Sequence, residues 1–454
     1  MNFENIVTAQ RDFWNTNATK DISFRIAQLK RLRAVITENE SKIYAALRAD
    51  LNKSEYEAYM TEVSLVTGEI DTAIKHLKKW SKPCRKKTPL SGFPSSSYTV
   101  KEPYGVVLVL SPWNYPFQLA LSPVVGAIAA GNCVILKCSK HSSHTTAVIS
   151  EMLGKSFDPK FLYCAEMSLS YDDILGQKYD YIFFTGSERV GKIVMKAASE
   201  HVTPLSLELG GKSPCFVDKS ANLELSAKRI AWGKLLNAGQ TCVAPDYILV
   251  DSAVKDSFTK ELQAQLAAIH PNPLENPDYP AIISDDHFKR LCGLIEREPD
   301  KTGGDSRTET RKIAPAVFYN ATFDSEIMQS EIFGPILPII AYDSLDDAIR
   351  TVKSRAKPLA CYIFSTDRAF SDRLVHEVSF GGGCINDAVM HLSNDNLPFG
   401  GVGSSGMGNY HGAYSFDTFS HEKSIFKSKN FLDIPLRYAP YKPKNLKLMR
   451  KIVG

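Results

Sequence analysis

The sequence has no long apolar run, no paired cysteines and almost no excess of charge, and each absence removes a class of protein. No apolar stretch reaches the roughly 18 residues of a membrane-spanning helix. The longest, Leu119 to Ala130, is interrupted by Ser122 and Pro123 and has the length of a buried helix. The first residues include Glu4, Arg11, Asp12 and Trp14 where a secretory signal needs an apolar core. The nine cysteines are odd in number, widely spaced and never fall into a Cys-x-x-Cys or Cys/His pattern. That speaks against a disulfide framework and against a zinc site, so no metal is expected and a reducing, cytoplasmic compartment fits. A net charge of +4 over 454 residues gives no electrostatic case for a nucleic-acid partner. Internal repeats and low-complexity segments are absent as well.

What is present is ordinary core-building material, 44% hydrophobic and 23% charged residues, in a chain longer than one hydrophobic core normally serves. Two or three packed domains are expected. Apolar residues spaced three and four apart, such as Ile26, Leu29, Leu32, Val35 and Ile36, then Ile43, Ala46 and Leu47, predict mainly helix as far as Trp80. The Pro-, Gly- and Ser-rich segment Lys82–Ser97 breaks that pattern. From Tyr98 short β-rich runs alternate with helical ones: Val106–Leu110, a helix near Phe117–Ala130, Cys133–Lys137, a helix near Ser142–Leu153, Phe161–Cys164, Tyr181–Thr185 and a helix near Glu188–Ser199. Such alternation means a parallel, doubly wound sheet. A second α/β series follows Glu208, with strands near Cys215–Val217, Tyr247–Val250, Leu337–Ala341 and Leu359–Phe364 and helices near Leu223–Asn237 and Ala253–Ile269. The glycine-dense stretch Phe399–Gly412 separates this series from a tail in which Phe416–Lys427 reads as a strand.

Three short pieces carry chemistry, each weakly by itself. In YIFFTGSERVG, Tyr181–Gly191, a β-rich run precedes Gly186-Ser187 and a helical pattern follows, so backbone N–H groups at a helix N-terminus lie under a strand end, where a pyrophosphate binds well. The glycines are five apart rather than in the GxGxxG spacing, and Gly-capped strand-to-helix turns are common in α/β folds. Cys242, in NAGQTCVAP, sits between a helical and a β-rich run, which suits presentation from a loop, although a single cysteine is most often an inert packing residue. Glu208, in PLSLELGGKSP, ends a β-run where glutamates are usually solvated.

Their co-occurrence in one order is far more specific. PWNYPF at Pro112–Phe117, ILK at Ile135–Lys137, FTGSERVG at Phe184–Gly191, LELGGKSP at Leu207–Pro214, GQTC at Gly239–Cys242, EIFGP at Glu331–Pro335 and LPFGGVGSSGMGNYHG at Leu397–Gly412 together resemble the aldehyde dehydrogenase superfamily, and within it the class 3 branch. The resemblance implies a doubly wound parallel-sheet cofactor domain at residues 1–85 and 105–208. It implies a second α/β, catalytic domain at 209–412 and a small β bridging or oligomerisation element from 86–104 and 413–454, the chain forming a homodimer. It implies oxidation of a small aldehyde, medium-chain aliphatic or aromatic, to the acid with NAD or NADP. Cys242 is then the nucleophile, the Asn114 amide and the Cys242 N–H the oxyanion donors, and Glu208 the base that activates water, with Glu331 the alternative base. Lys137 would bond the adenosine ribose, and Gly186, Ser187 and Gly191 would form the pyrophosphate turn. Glu331 would hold the nicotinamide ribose, with Phe333 packing nearby.

Two positions depart from the pattern. Cys138 stands where most relatives have proline, and Lys140 where they have a glutamate that accepts from the adenosine ribose, which leaves the choice between NAD and NADP open. The basic tail Tyr441–Gly454, with Lys442, Lys444, Lys447, Arg450 and Lys451, reads as a solvated helix before it reads as a lipid-binding one. Acyl transfer to coenzyme A is the competing activity on the same scaffold, and Glu208 speaks against it. A non-catalytic scaffold has no chemical need for Cys242, Glu208 and Asn114 together.

Overall fold

The computed structural model describes residues 3–433 and 435–453, so the expected domain limits at residues 1 and 454 lie outside it. The helical periodicity of the first eighty residues gives the helices Phe3–Asn15, Ile22–Glu38, Glu40–Leu51 and Ser64–Trp80. Asp21 caps the second of them, its carboxylate accepting from the Ser23 N–H at 2.7 Å, which satisfies a donor the helix start leaves open. Leu29, Leu32, Ile36, Ile43 and Leu47, the residues that set the period, are fully buried. A four-residue helix, Glu55–Ala58, runs into a π-helical turn, Tyr59–Val63. Such wide turns cost hydrogen-bond geometry and occur frequently at functional sites.

Six strands make the first sheet, in the order Gly406–Met407, Leu205–Leu209, Tyr181–Gly186, Val106–Leu110, Cys133–Lys137, Leu162–Cys164, all parallel except the first. Val107 and Val109 point into one hydrophobic cluster while Val106, Leu108 and Leu110 point into another. An uninterrupted apolar run thus serves two faces, each covered by crossover helices. The second sheet has seven strands, in the order Lys301–Gly303, Ala316–Phe318, Ile336–Tyr342, Tyr247–Asp251, Pro214–Val217, Ala360–Phe364, Gly382–Ile385, antiparallel only at the first pair. A third, antiparallel sheet joins Cys84–Lys86, Ser96–Pro103 and Ser420–Lys427. The protein is therefore of the α/β class, with two mainly parallel sheets and a small β element.

Two sequence expectations need correction. Phe416–Lys427 is not one strand: a helix, Gly412–Thr418, occupies its start and the strand begins at Ser420. Burial explains this, because the helix lies so close to Gln118–Ala130 that a Cβ on Gly126 would come within 2.7 Å of Ser415. The glycine-dense stretch is also more than a separator. Gly406 and Met407 pair with Glu208 and Leu207 in the first sheet, and a side chain at Gly406, where φ is +140°, would collide with the Leu207 carbonyl. The helices Asp285–Glu296, Leu345–Lys353 and Arg368–Glu377 were not anticipated.

Candidate active site

Cys242 reaches its place through a sharp reversal. After the helix Leu223–Leu235, three consecutive residues, Asn237, Ala238 and Gly239, take positive φ of 52°, 51° and 79°. At the third only glycine fits, since a Cβ there would run into the Gly334 carbonyl. The turn is pinned by buried amides. Gln240 donates to the Asn237 and Ala281 carbonyls, both at 3.0 Å, and accepts from the Ile283 N–H at 3.0 Å. The Thr241 and Tyr115 hydroxyls are 2.6 Å apart. Cys242 follows, half-buried at the wall of a cavity of about 400 Å³.

The same cavity is lined by Asn114, Gly186, Ser187, Glu208, Glu331 and Phe333, so seven of the ten sequence candidates meet in one space. Asn114 leaves the end of Val106–Leu110 on the loop into Gln118–Ala130. Its side-chain amide donates to the Gln240 carbonyl at 3.1 Å, which leaves its second amide hydrogen for the cavity. Glu208, one residue before the end of its strand, is almost fully buried, and neither of its carboxylate oxygens has a hydrogen-bond partner. Burial pushes its pKa well above the carboxylate range. Glu331 is raised to about 8, first by burial and then by Asp246, with the nearby Gly211 N–H opposing the rise. A Cβ on Gly210 would collide with that carboxylate. Burial, then Glu331 and Glu208, push the Cys242 thiol up to about 12.

Phe333 has φ of +53°, which is uncommon for an aromatic residue, and its ring meets Trp113 edge-on at 5.4 Å between centroids. Its carbonyl accepts from His287 Nε2 at 2.8 Å. Ser187, also on the cavity lining, caps the helix Glu188–Ser199, its hydroxyl accepting from the Val190 N–H. A Cβ on Gly191 would lie 2.9 Å from Leu209 Cδ2, so this glycine lets the helix approach the sheet, outside the cavity lining. Apolar rings make up much of the remaining wall, among them Trp113, Tyr115, Trp232, Phe399 and Tyr410.

Lys137 and Lys140 are not part of this space. The Lys137 ammonium is buried and donates to the Glu166 and Met167 carbonyls at 2.8 and 3.1 Å, while Lys140 stands in solvent. Sequence reasoning also missed the charged residues beneath Asn114, namely Lys53, Glu57 and Glu62, all buried. A signal was there. Ala58, Glu62 and Val66 are four apart and equally buried, so a carboxylate interrupts the core-facing stripe of a helical run. Among the described residues no group of three or more His, Cys, Asp or Glu is placed to hold a metal ion, and no helix is long and apolar enough to cross a membrane.

Comparison with known proteins agrees with this geometry. The profile of the aldehyde dehydrogenase family matches residues 2–425. The chain is 49% identical over 437 residues to the 4,4'-diaponeurosporen-aldehyde dehydrogenase of Staphylococcus aureus, covering 95% of each. It is 42% identical over 446 residues, 98% of each chain, to the Rattus norvegicus enzyme named aldehyde dehydrogenase, dimeric NADP-preferring. The solved structure described as the substrate-bound state of Staphylococcus aureus AldH superposes with a TM-score of 0.97 at 46% identity, covering 100% of both chains.

Proposed function

Since the chain belongs to the aldehyde dehydrogenase family and is an NAD(P)-dependent oxidoreductase, we propose that it oxidises an apolar aldehyde, medium-chain aliphatic or aromatic, to the carboxylic acid through a thioester on Cys242. The observation that carries this reading is the meeting of a thiol, an unpartnered carboxyl and a side-chain amide in one mainly apolar cavity. The Cys242 thiol releases its proton to solvent and its sulfur attacks the aldehyde carbon. The new alkoxide is held by the Asn114 amide and the Cys242 N–H, donors fixed before the charge forms. The bound cofactor supplies the hydride acceptor and, in its oxidised form, a positive charge that favours the thiolate. Loss of hydride leaves a thioester, and Glu208 then takes a proton from the water that hydrolyses it.

The residues present fit a dinucleotide. Thr185, Gly186 and Ser187 bring a helix N-terminus to the cavity wall, where free N–H groups favour a pyrophosphate. Glu331 and Phe333 line the same cavity and would hold the nicotinamide riboside, and Lys137 would meet the adenosine ribose. Residues 1–85 and 105–208 would form the cofactor domain and 209–412 the catalytic one, apart from the Gly406–Met407 strand that joins the first sheet. Residues 86–104 and 413–454 would form the bridging element; among the described residues the sheet of Cys84–Lys86, Ser96–Pro103 and Ser420–Lys427 ends on the edge strand Ser420–Lys427, which supports a homodimer by edge pairing. Nine unpaired cysteines support a reducing, cytoplasmic setting.

A panel of aliphatic and aromatic aldehydes tests the reading, with reduced cofactor followed by absorbance and products by mass spectrometry, with and without coenzyme A. We expect one acid formed per reduced cofactor and rates that rise with apolar chain length. Acyl-coenzyme A as the product, or no cofactor reduction with any aldehyde, would overturn it.

A further inference from the structure

A buried ion pair lies directly beneath Asn114. Lys53 follows Asn52, which closes the helix Glu40–Leu51 in the left-handed conformation, and Glu62 sits on the π-helical turn Tyr59–Val63. Both side chains are fully buried, with Lys53 Nζ 2.6 Å from Glu62 Oε1. Their remaining valences go to one short loop. Lys53 Nζ donates to the Asn114 carbonyl at 3.3 Å and lies 3.9 Å from the centre of the Tyr115 ring. The other Glu62 oxygen, Oε2, accepts from the Phe117 N–H at 2.8 Å and the Gln118 N–H at 3.2 Å, the first donors of the helix that follows.

A third group completes the arrangement. Asn237 Nδ2 donates to the same Asn114 carbonyl at 2.6 Å and to the Gln240 carbonyl at 3.2 Å, while the Asn237 N–H donates to Glu57 at 2.7 Å. The loop of Asn114 and the loop of Cys242 are thereby tied to each other through Asn237. Tyr115, under the Lys53 ammonium, ties them again through Thr241.

We propose that Lys53 and Glu62 are positioning residues for the reaction, clamping residues 114–118 so that the Asn114 side-chain amide meets the alkoxide formed on Cys242. This rests on the oxyanion role assigned to Asn114 above. The physical need is plain: an amide donor is effective only where its N–H is already aimed, and a small displacement forfeits much of its benefit. A carbonyl held by a lysine and an asparagine, with two N–H groups held by one carboxylate, leaves the intervening residues little freedom. The wide π turn carries Glu62, whose one carboxylate oxygen meets both N–H groups. Simple stabilisation of the fold does not require that every free valence of the pair end on the loop of Asn114.

A double-mutant cycle tests this. Glu62→Gln keeps the side chain's size and an oxygen for the Phe117 and Gln118 N–H groups but removes the charge that holds Lys53. Single-turnover formation of reduced cofactor should slow by about ten- to a hundredfold in Glu62→Gln, with the cofactor Kd within about twofold of the wild type. In an Asn114→Ala background the same substitution should cost no more than about a further twofold. An undiminished rate in Glu62→Gln, or an equal loss in both backgrounds, would overturn the proposal. If Asn114→Ala itself turns over normally, the oxyanion assignment fails. If Asn114→Ala is slow and Glu62→Gln is not, only the clamp fails. Should Glu62→Gln not fold, Lys53→Arg, which keeps the charge but forks it away from the Asn114 carbonyl, runs the same cycle with the same outcomes.

Discussion

The two ends of the proposed site are built on opposite physical terms. At the cysteine end a thiol and two carboxyl groups are enclosed among aromatic rings, Glu208 has no hydrogen-bond partner, and burial displaces all three pKa values upward. At the lysine end the Lys137 ammonium is spent on two backbone carbonyls and Lys140 stands in solvent. Charges at the first end act at low effective dielectric and are shielded from salt, whereas a charge at the second is weakened by water and by ions. Substitutions at the enclosed end should therefore act through single atoms and change the chemistry by orders of magnitude. Those at the open end should shift preferences by small factors.

The largest expected effect is that of Cys242→Ser. A serine hydroxyl in this cavity faces the same desolvation as the thiol and starts from a far higher pKa, so turnover should fall by about a thousandfold or more. Cofactor binding and the melting temperature should stay near wild type, because the two side chains are nearly the same size. More than a few per cent of residual turnover would break the contrast at its strongest point. Glu208→Gln comes next and separates the two carboxyls. If Glu208 serves mainly to activate water, the variant should give a burst of reduced cofactor and then a steady rate lower by about 10²–10⁴-fold, with the thioester visible by mass spectrometry. Absence of a burst would assign Glu208 to the thiol step, and a normal steady rate would transfer the role to Glu331.

The same contrast governs how much the sequence disclosed. Strands buried on both faces were legible at the residue level. Cys133–Lys137 and the helix Glu188–Ser199 match their expected limits, because uninterrupted apolar runs and a Ser-capped helix are local signals. Cys242, Glu208 and Asn114 were legible as members of a motif set, and the cavity that unites them is a property of tertiary structure. Leu345–Lys353 and Arg368–Glu377 went unnoticed because their apolar residues are few, only Ala348, Ile349 and Val352 being buried in the first. Lys53 and Glu62 were missed for a different reason. Charged residues in a helical segment normally face solvent, and nothing local says that this pair bonds a loop some fifty residues downstream. The strand in Phe416–Lys427 was placed too early because Phe416 and Phe419 are core residues, and a strand and a buried helix share that composition over a few residues.

The smallest and most conditional effect is expected at Lys140, and it measures how open the second end is. We propose that this lysine lies beside the adenosine ribose and accepts the 2′-phosphate of NADP, which carries close to two negative charges. One unit-charge pair a few ångströms apart contributes about 1 kcal/mol in water, so exchanging attraction for repulsion in Lys140→Glu should lower kcat/KM for NADP relative to NAD by about tenfold at low salt. Because the side chain is exposed, that ratio should shrink steadily as ionic strength rises and the Debye length shortens. Lys140→Gln should fall between, since it removes the attraction without adding repulsion. A ratio that Lys140→Glu leaves untouched would reduce Lys140 to a solvated loop residue. A ratio that changes but ignores salt would mean that the second end closes around its ligand as tightly as the first, and the contrast between the two ends would be wrong.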